Sequence, residues 1–171
     1  MFKGRGGRPS IHRITGNSPD DFSRVTLRTG IGCCAHNPIV PYQADLAFMD
    51  TAGNIHSLNA VIEYGDFRPV ALSRDISIWL REHLSYTYLN LANAAVNPDE
   101  GMILFSIAVD GASGNNYTLM MDYRFNPVRW AAWPSFASGC VATVLDSGRP
   151  IIMAGGTDGF VRKYFQSTRT I

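Results

Sequence analysis

The chain has 171 residues, 46% of them apolar and 17% charged, with a formal net charge of +1. That is enough apolar length for one domain with a hydrophobic core, too apolar for a disordered chain, and too neutral for a surface built throughout to hold nucleic acid. The charged fraction is below the roughly 25% of typical soluble domains, which points to surface covered by partners. No apolar run approaches the ~20 residues of a membrane helix, and the start, Met1-Phe2-Lys3-Gly4-Arg5-Gly6-Gly7-Arg8, lacks the apolar stretch of a signal peptide, so neither a membrane span nor secretion is expected.

Residues 1–171 read as a single domain whose first 20 residues form a basic, Gly-rich arm. Lys3, Arg5, Arg8, Arg13, Arg24 and Arg28 outweigh Asp20 and Asp21, so the first thirty residues are basic. A solvated or partner-docking arm is the main reading and a nucleic-acid contact the second. Short apolar and β-branched runs then predict strands near residues 24–28, 32–40, 44–50 and 54–62. Asp50-Thr51-Ala52-Gly53-Asn54 is the hairpin corner between the last two, because Asp and Asn satisfy backbone locally and Gly supplies positive φ. Cys33, Cys34 and Cys140 cannot all pair within one chain and read as reduced, buried small hydrophobes.

Residues 73–84, SRDISIWLREHL, change the period. Ile76, Trp79, Leu80, His83 and Leu84 recur at i, i+3, i+4, i+7 and i+8, which predicts one amphipathic helix with Ser73 as N-cap and Asp75 in its first turn. His83, on that stripe, reads as a packing histidine. From Leu91 the strand rhythm returns, with strands at 91–96, 102–109, 117–123 and 128–133, and then at 139–145, 151–154 and 160–165. This is one four-stranded antiparallel meander followed by most of a second.

Met102 to Val109 and Tyr117 to Met121 are apolar on both faces, so their sheet must be covered on both sides although its connections are hairpins. A β-propeller does this by stacking small sheets face to face around an axis; a two-sheet sandwich, with one polar face per strand, fits less well. LAFMDTAGNIHSL (46–58) and IIMAGGTDGFVRKY (151–164) share one plan: an apolar strand, a corner with Asp or Thr and Gly, and a second strand. Such repetition is what blades require, since none can bury its own faces alone.

GIGCCAHNPIV, ADLAFMDTAGNIHSL and LSRDISIWLREHL in that order, with NYTLMMDYRFNPVRWAAWPSFASGCVATVLDSGRPIIMAGGTDGFVRKYF after them, resemble the β-propeller proteins of bacteriophage tail and neck structures over residues 22–166. The resemblance implies an all-β fold of four-stranded blade-like meanders, a full or partial propeller, carrying one helix. It also implies a structural virion protein, made in the host cytoplasm, that assembles with copies of itself or with other virion proteins. About three blades are countable, fewer than the ~4–8 of closed propellers, which itself calls for partners.

The chemistry-bearing residues fall elsewhere than in known catalytic patterns. Gly155-Gly156-Thr157-Asp158-Gly159 fits no phosphate-binding loop and precedes a strand where such a loop needs a helix. Asp45, Asp50, Asp110, Asp122, Asp146 and Asp158 sit mostly at corners and form no calcium loop. His12, His36, His56 and His83 are scattered, and Ser135, Ser138 and Ser147 lack a nucleophile-elbow setting. No enzyme activity, cofactor or metal is expected. Trp130 and Trp133, with Tyr123 and Phe136, form the densest aromatic cluster. The i, i+3 spacing of the two Trp in a strand places them on opposite faces, as inter-blade core or as a contact with a partner or a glycan. A glycan-binding surface module is the alternative function, and a propeller hydrolase the third.

Overall fold

A computed structural model describes residues 8–64, 71–133 and 138–164. The described chain is mostly β, 49% strand against 18% helix, in four small antiparallel sheets. The first is a ribbon of β1 (Ser10–Thr15) and β2 (Ser23–Thr29). The second holds β3 (Ile39–Tyr42), β4 (Asp45–Met49) and β5 (Ile55–Ser57). The third is the meander β6 (Asn93–Asn97), β7 (Met102–Ile107), β8 (Tyr117–Asp122) and β9 (Arg129–Trp133). The last holds β10 (Ser138–Asp146), β11 (Arg149–Gly156) and β12 (Val161–Tyr164). Within each sheet every strand pairs with its neighbour in sequence, as hairpin connections demand, and the described residues close neither a barrel nor a propeller.

Three departures from the expected elements have local causes. Ser10–Thr15, within the segment read as an arm, is a strand paired with β2. The strand expected over 54–62 stops at Ser57 and gives way to helix α1 (Leu58–Tyr64). Ser57 Oγ and the Asp45 carboxylate accept the Ala60 and Asn59 N–H groups, so the first turn is capped from both sides, and Leu58 and Val61 pack inward. The strand expected over 32–40 is confined to its end, with Cys33 making only an isolated bridge to Asp50 and Asn37-Pro38 interrupting the run.

The helix expected over 73–84 is a 3-10 turn (Arg74–Ile76) running into α2 (Ser77–His83). Ser73 is not its side-chain cap: fully buried, its Oγ accepts the Ile55 N–H (2.9 Å) and ties the helix start to β5. The stripe packs as the period requires, with Leu80 and Leu84 buried and Trp79 lying against Tyr117 at 5.0 Å. His83 stacks on Trp79 at 4.9 Å, and its Nδ1 lies 2.7 Å from Asp110 Oδ1.

The sheets stack in chain order. Along β4, Phe48 joins Ile11, Ile31, Cys33 and Val61 beneath the first ribbon, while Ala47 and Met49 turn to the third sheet. All six residues of β7 are buried; Ile103, Phe105 and Ile107 meet the second sheet, and Met102 and Leu104 meet Val141, Ile152 and Ala154 of the last. A period of two fills both sides of one sheet, which is why this hairpin-connected meander has no polar face.

Candidate functional site

The hairpin corners are built first by backbone geometry. At 50–54 the Asp50 N–H donates to Asn54 O (2.8 Å) and the Gly53 N–H to Asp50 O (3.2 Å). At 156–160 the Gly156 N–H donates to Phe160 O (2.8 Å) and the Gly159 N–H to Gly156 O (3.3 Å). Gly53 and Gly159 occupy the same place in the two turns, with φ of 82° and 83°. The two stretches that share a sequence plan therefore share a three-residue hairpin loop with Gly in the left-handed position. Their aspartates do different work. Asp50 is buried, with Oδ1 accepting the Ala52 and Asn54 N–H groups and Oδ2 lying 2.9 Å from His56 Nε2. Asp158 is exposed, accepts the Phe160 N–H and pairs with Arg162, which holds its carboxyl down to about 2.

The last sheet ends the stack with an apolar face. Pairing places Cys140, Ala142 and Val144 of β10 opposite Gly155, Met153 and Ile151 of β11, and Val161 and Lys163 of β12 opposite Gly155 and Met153. The residues between them, Val141, Ile152, Ala154 and Tyr164, are buried against the third sheet, so this set faces outward. Val144 is 44% exposed and Val161 67%, and the charges of this face, Lys163, Asp146 and Arg149, lie with the Lys163–Asp146 ion pair and the β10–β11 turn at one end. Cys140 is exposed here, a correction to the reading of all three cysteines as buried; Cys33 and Cys34 are buried. At the other end of the stack the first ribbon exposes Ile14, Phe22 and Val25.

Where the third and last sheets meet, β6 is joined to β10 through side chains instead of a backbone ladder. Thr143 Oγ1 donates to Val96 O (2.7 Å) and accepts the Val96 N–H (3.1 Å), and Asn93 Oδ1 accepts the Val141 N–H (2.9 Å). On its other side β6 meets β3, with the Ala94 N–H donating to Asn37 O (3.2 Å). The first strands of the last three sheets thus converge at β6.

A groove of about 400 Å³ opens at the rim between the second and third sheets, bordered by the β3–β4 turn, the residues leading into α2 and the β8–β9 loop. Tyr42 and Tyr123 meet edge to face across it, centroids 5.6 Å apart. Burial raises both phenols above their usual range, helped at Tyr42 by the Asp45 carboxylate. The Arg129 guanidinium lies 3.8 Å over the Phe125 ring. Arg74 pairs with Asp75, and Arg124 makes a two-pronged pair with Asp122, which lowers that carboxyl.

The two tryptophans singled out in the sequence fall on opposite faces of the third sheet. Trp130 lies 6.1 Å from Phe105 and its Nε1–H donates to Leu72 O (3.1 Å); Trp133 lies 5.0 Å from Tyr164 of the last sheet. Both are half-buried between sheets, and Phe136 lies outside the described residues. The signals that would have found the groove are Tyr42-Gln43 at a turn and Asn126-Pro127 in a loop, but nothing local joins positions 80 residues apart. No family model matches the chain, and no curated protein matches it in sequence.

Proposed function

We propose that this chain is a non-enzymatic assembly protein, a tail or neck component of a bacteriophage virion acting as an adaptor or hub through contacts with copies of itself and other virion proteins. The observation that carries the reading is the outward face of the last sheet, on which exposed Ala142, Val144 and Val161 and half-buried Ile151 and Met153 stand together, with the charges Lys163, Asp146 and Arg149 toward the β10–β11 turn. Contiguous exposed apolar surface of this kind is what soluble monomers avoid and protein interfaces use. The blade reading draws its support from consecutive sheets stacked face to face and from first strands that converge at β6. On this reading the four sheets form an arc of a propeller-like ring that neighbouring subunits complete, and the resemblance of residues 22–166 to phage tail and neck propellers supplies the setting.

The test is the mass of the purified chain under reducing conditions, by sizing chromatography with light scattering. A defined assembly larger than 18.8 kDa is expected. A stable, monodisperse monomer at high micromolar concentration would overturn self-assembly as its mode of action.

A further inference from the structure

We infer that the groove between the Tyr42-Gln43 turn and the Tyr123–Val128 loop is a binding site for neutral carbohydrate. Its size lies within the ~300–1,000 Å³ of small-ligand sites. A sugar ring offers an apolar C–H face and a rim of hydroxyls that both donate and accept. The lining answers both needs: Tyr42, Tyr123 and Phe125 supply flat aromatic surface, and Gln43 and Asn126 supply amides with a donor and an acceptor each. Among the described residues no hydrogen bond occupies the Gln43 or Asn126 amide or the Tyr42 or Tyr123 hydroxyl.

The charges decide the class of ligand. Among the described residues both arginines of the lining are paired, Arg74 with Asp75 and Arg124 with Asp122, and the neighbouring Arg129 lies over the Phe125 ring, an arrangement that favours a neutral ligand over a phosphate, sulfate or carboxylate. Among the described residues its walls are a turn, a helix approach and a loop, and β3 reaches it only with its last residue, Tyr42, too little strand edge for an extended peptide to add. The site is separate from the outward face of the last sheet, and the inference stands or falls apart from assembly.

The probes are neutral hexasaccharides of glucose, galactose and N-acetylglucosamine, with a sulfated hexasaccharide as the acidic counterpart. They are presented to the full chain and read by saturation-transfer NMR and calorimetric titration. At least one neutral sugar is expected to bind with its ring C–H protons saturated, and Tyr123→Ala or Tyr42→Ala to weaken it by at least about tenfold. Tyr123→Phe, which keeps the ring, should retain most of the affinity. Should Tyr123→Ala lower the unfolding midpoint, Gln43→Ala and Asn126→Ala, both at exposed positions, carry the test: each is expected to weaken binding without changing stability. No binding by any neutral sugar, a preference for the sulfated one, or affinity unchanged in Gln43→Ala and Asn126→Ala would overturn the inference.

Discussion

At Gly53 two constraints act on one missing methyl group. Its φ of 82° is a conformation that costs an L-residue about 1–2 kcal/mol, and a Cβ there would lie 2.4 Å from Leu84 Cδ1. Gly159 has the same φ, but an added Cβ meets nothing within 4 Å. Gly159→Ala is therefore expected to cost only the conformational penalty, and Gly53→Ala clearly more, because Leu84 belongs to the core and has little room to yield. Denaturant unfolding of the two variants measures the difference; equal losses would show that the Leu84 approach carries no weight. Asp50 shows the same dependence on surroundings, for its carboxylate serves two backbone donors and a buried histidine, whereas Asp158 serves a surface turn.

Among the elements, the last hairpin carries a pH signature. The Asp158 carboxyl is depressed to about 2 by Arg162, so its contribution to stability is present above the unfolded-state value of about 3.9 and is lost as pH falls through the folded one. Asp158→Asn keeps an oxygen for the Phe160 N–H and removes the charge. Its unfolding midpoint should lie slightly below that of the parent at pH 5–7, with the gap closing between about pH 4 and 2 and shrinking in high salt, since the pair is exposed. The third sheet depends on its tryptophans as wedges between sheets. Trp130→Ala and Trp133→Ala are each expected to cost about 3–5 kcal/mol, measured by chemical denaturation, because each removes a large ring from a core shared by two sheets. If either variant kept parental stability, that indole would be free to serve a ligand instead.

For the whole molecule, the end of the stack controls association. Val144→Glu and Val161→Glu place charge on the exposed outer face without entering the core, so folding should survive while assembly fails. Light scattering is expected to show the variants at 18.8 kDa with a circular dichroism spectrum like the parent's. If both variants assembled as the parent does, the interface would have to be sought elsewhere, the first ribbon with Ile14, Phe22 and Val25 being the other apolar end.

Local chemistry determined most of the elements. Alternating and doubly apolar runs with Gly, Asp and Asn corners place strands β6 to β12 to within a few residues, and the kinship of the 50–54 and 156–160 turns was legible because a left-handed glycine leaves its mark in sequence. Helix α1 was hidden because it is only seven residues long and its adjacent β-branched pair, Val61-Ile62, continues the run begun by Ile55, and because one of its caps, Asp45, lies on another element. Ser73 looked like a cap and became a buried acceptor for β5, since only packing decides what a hydroxyl faces. The opposite facing of Trp130 and Trp133 followed from a period of two, but their neighbours Leu72 and Tyr164 lie 58 and 31 residues away along the chain. Sequence by itself determined the strands, their turns and the need to cover both faces of the third sheet. Tertiary structure alone decided which sheet covers which, which apolar face is left outward, and that two loops meet in a groove, because those outcomes depend on long-range stacking that no local pattern encodes.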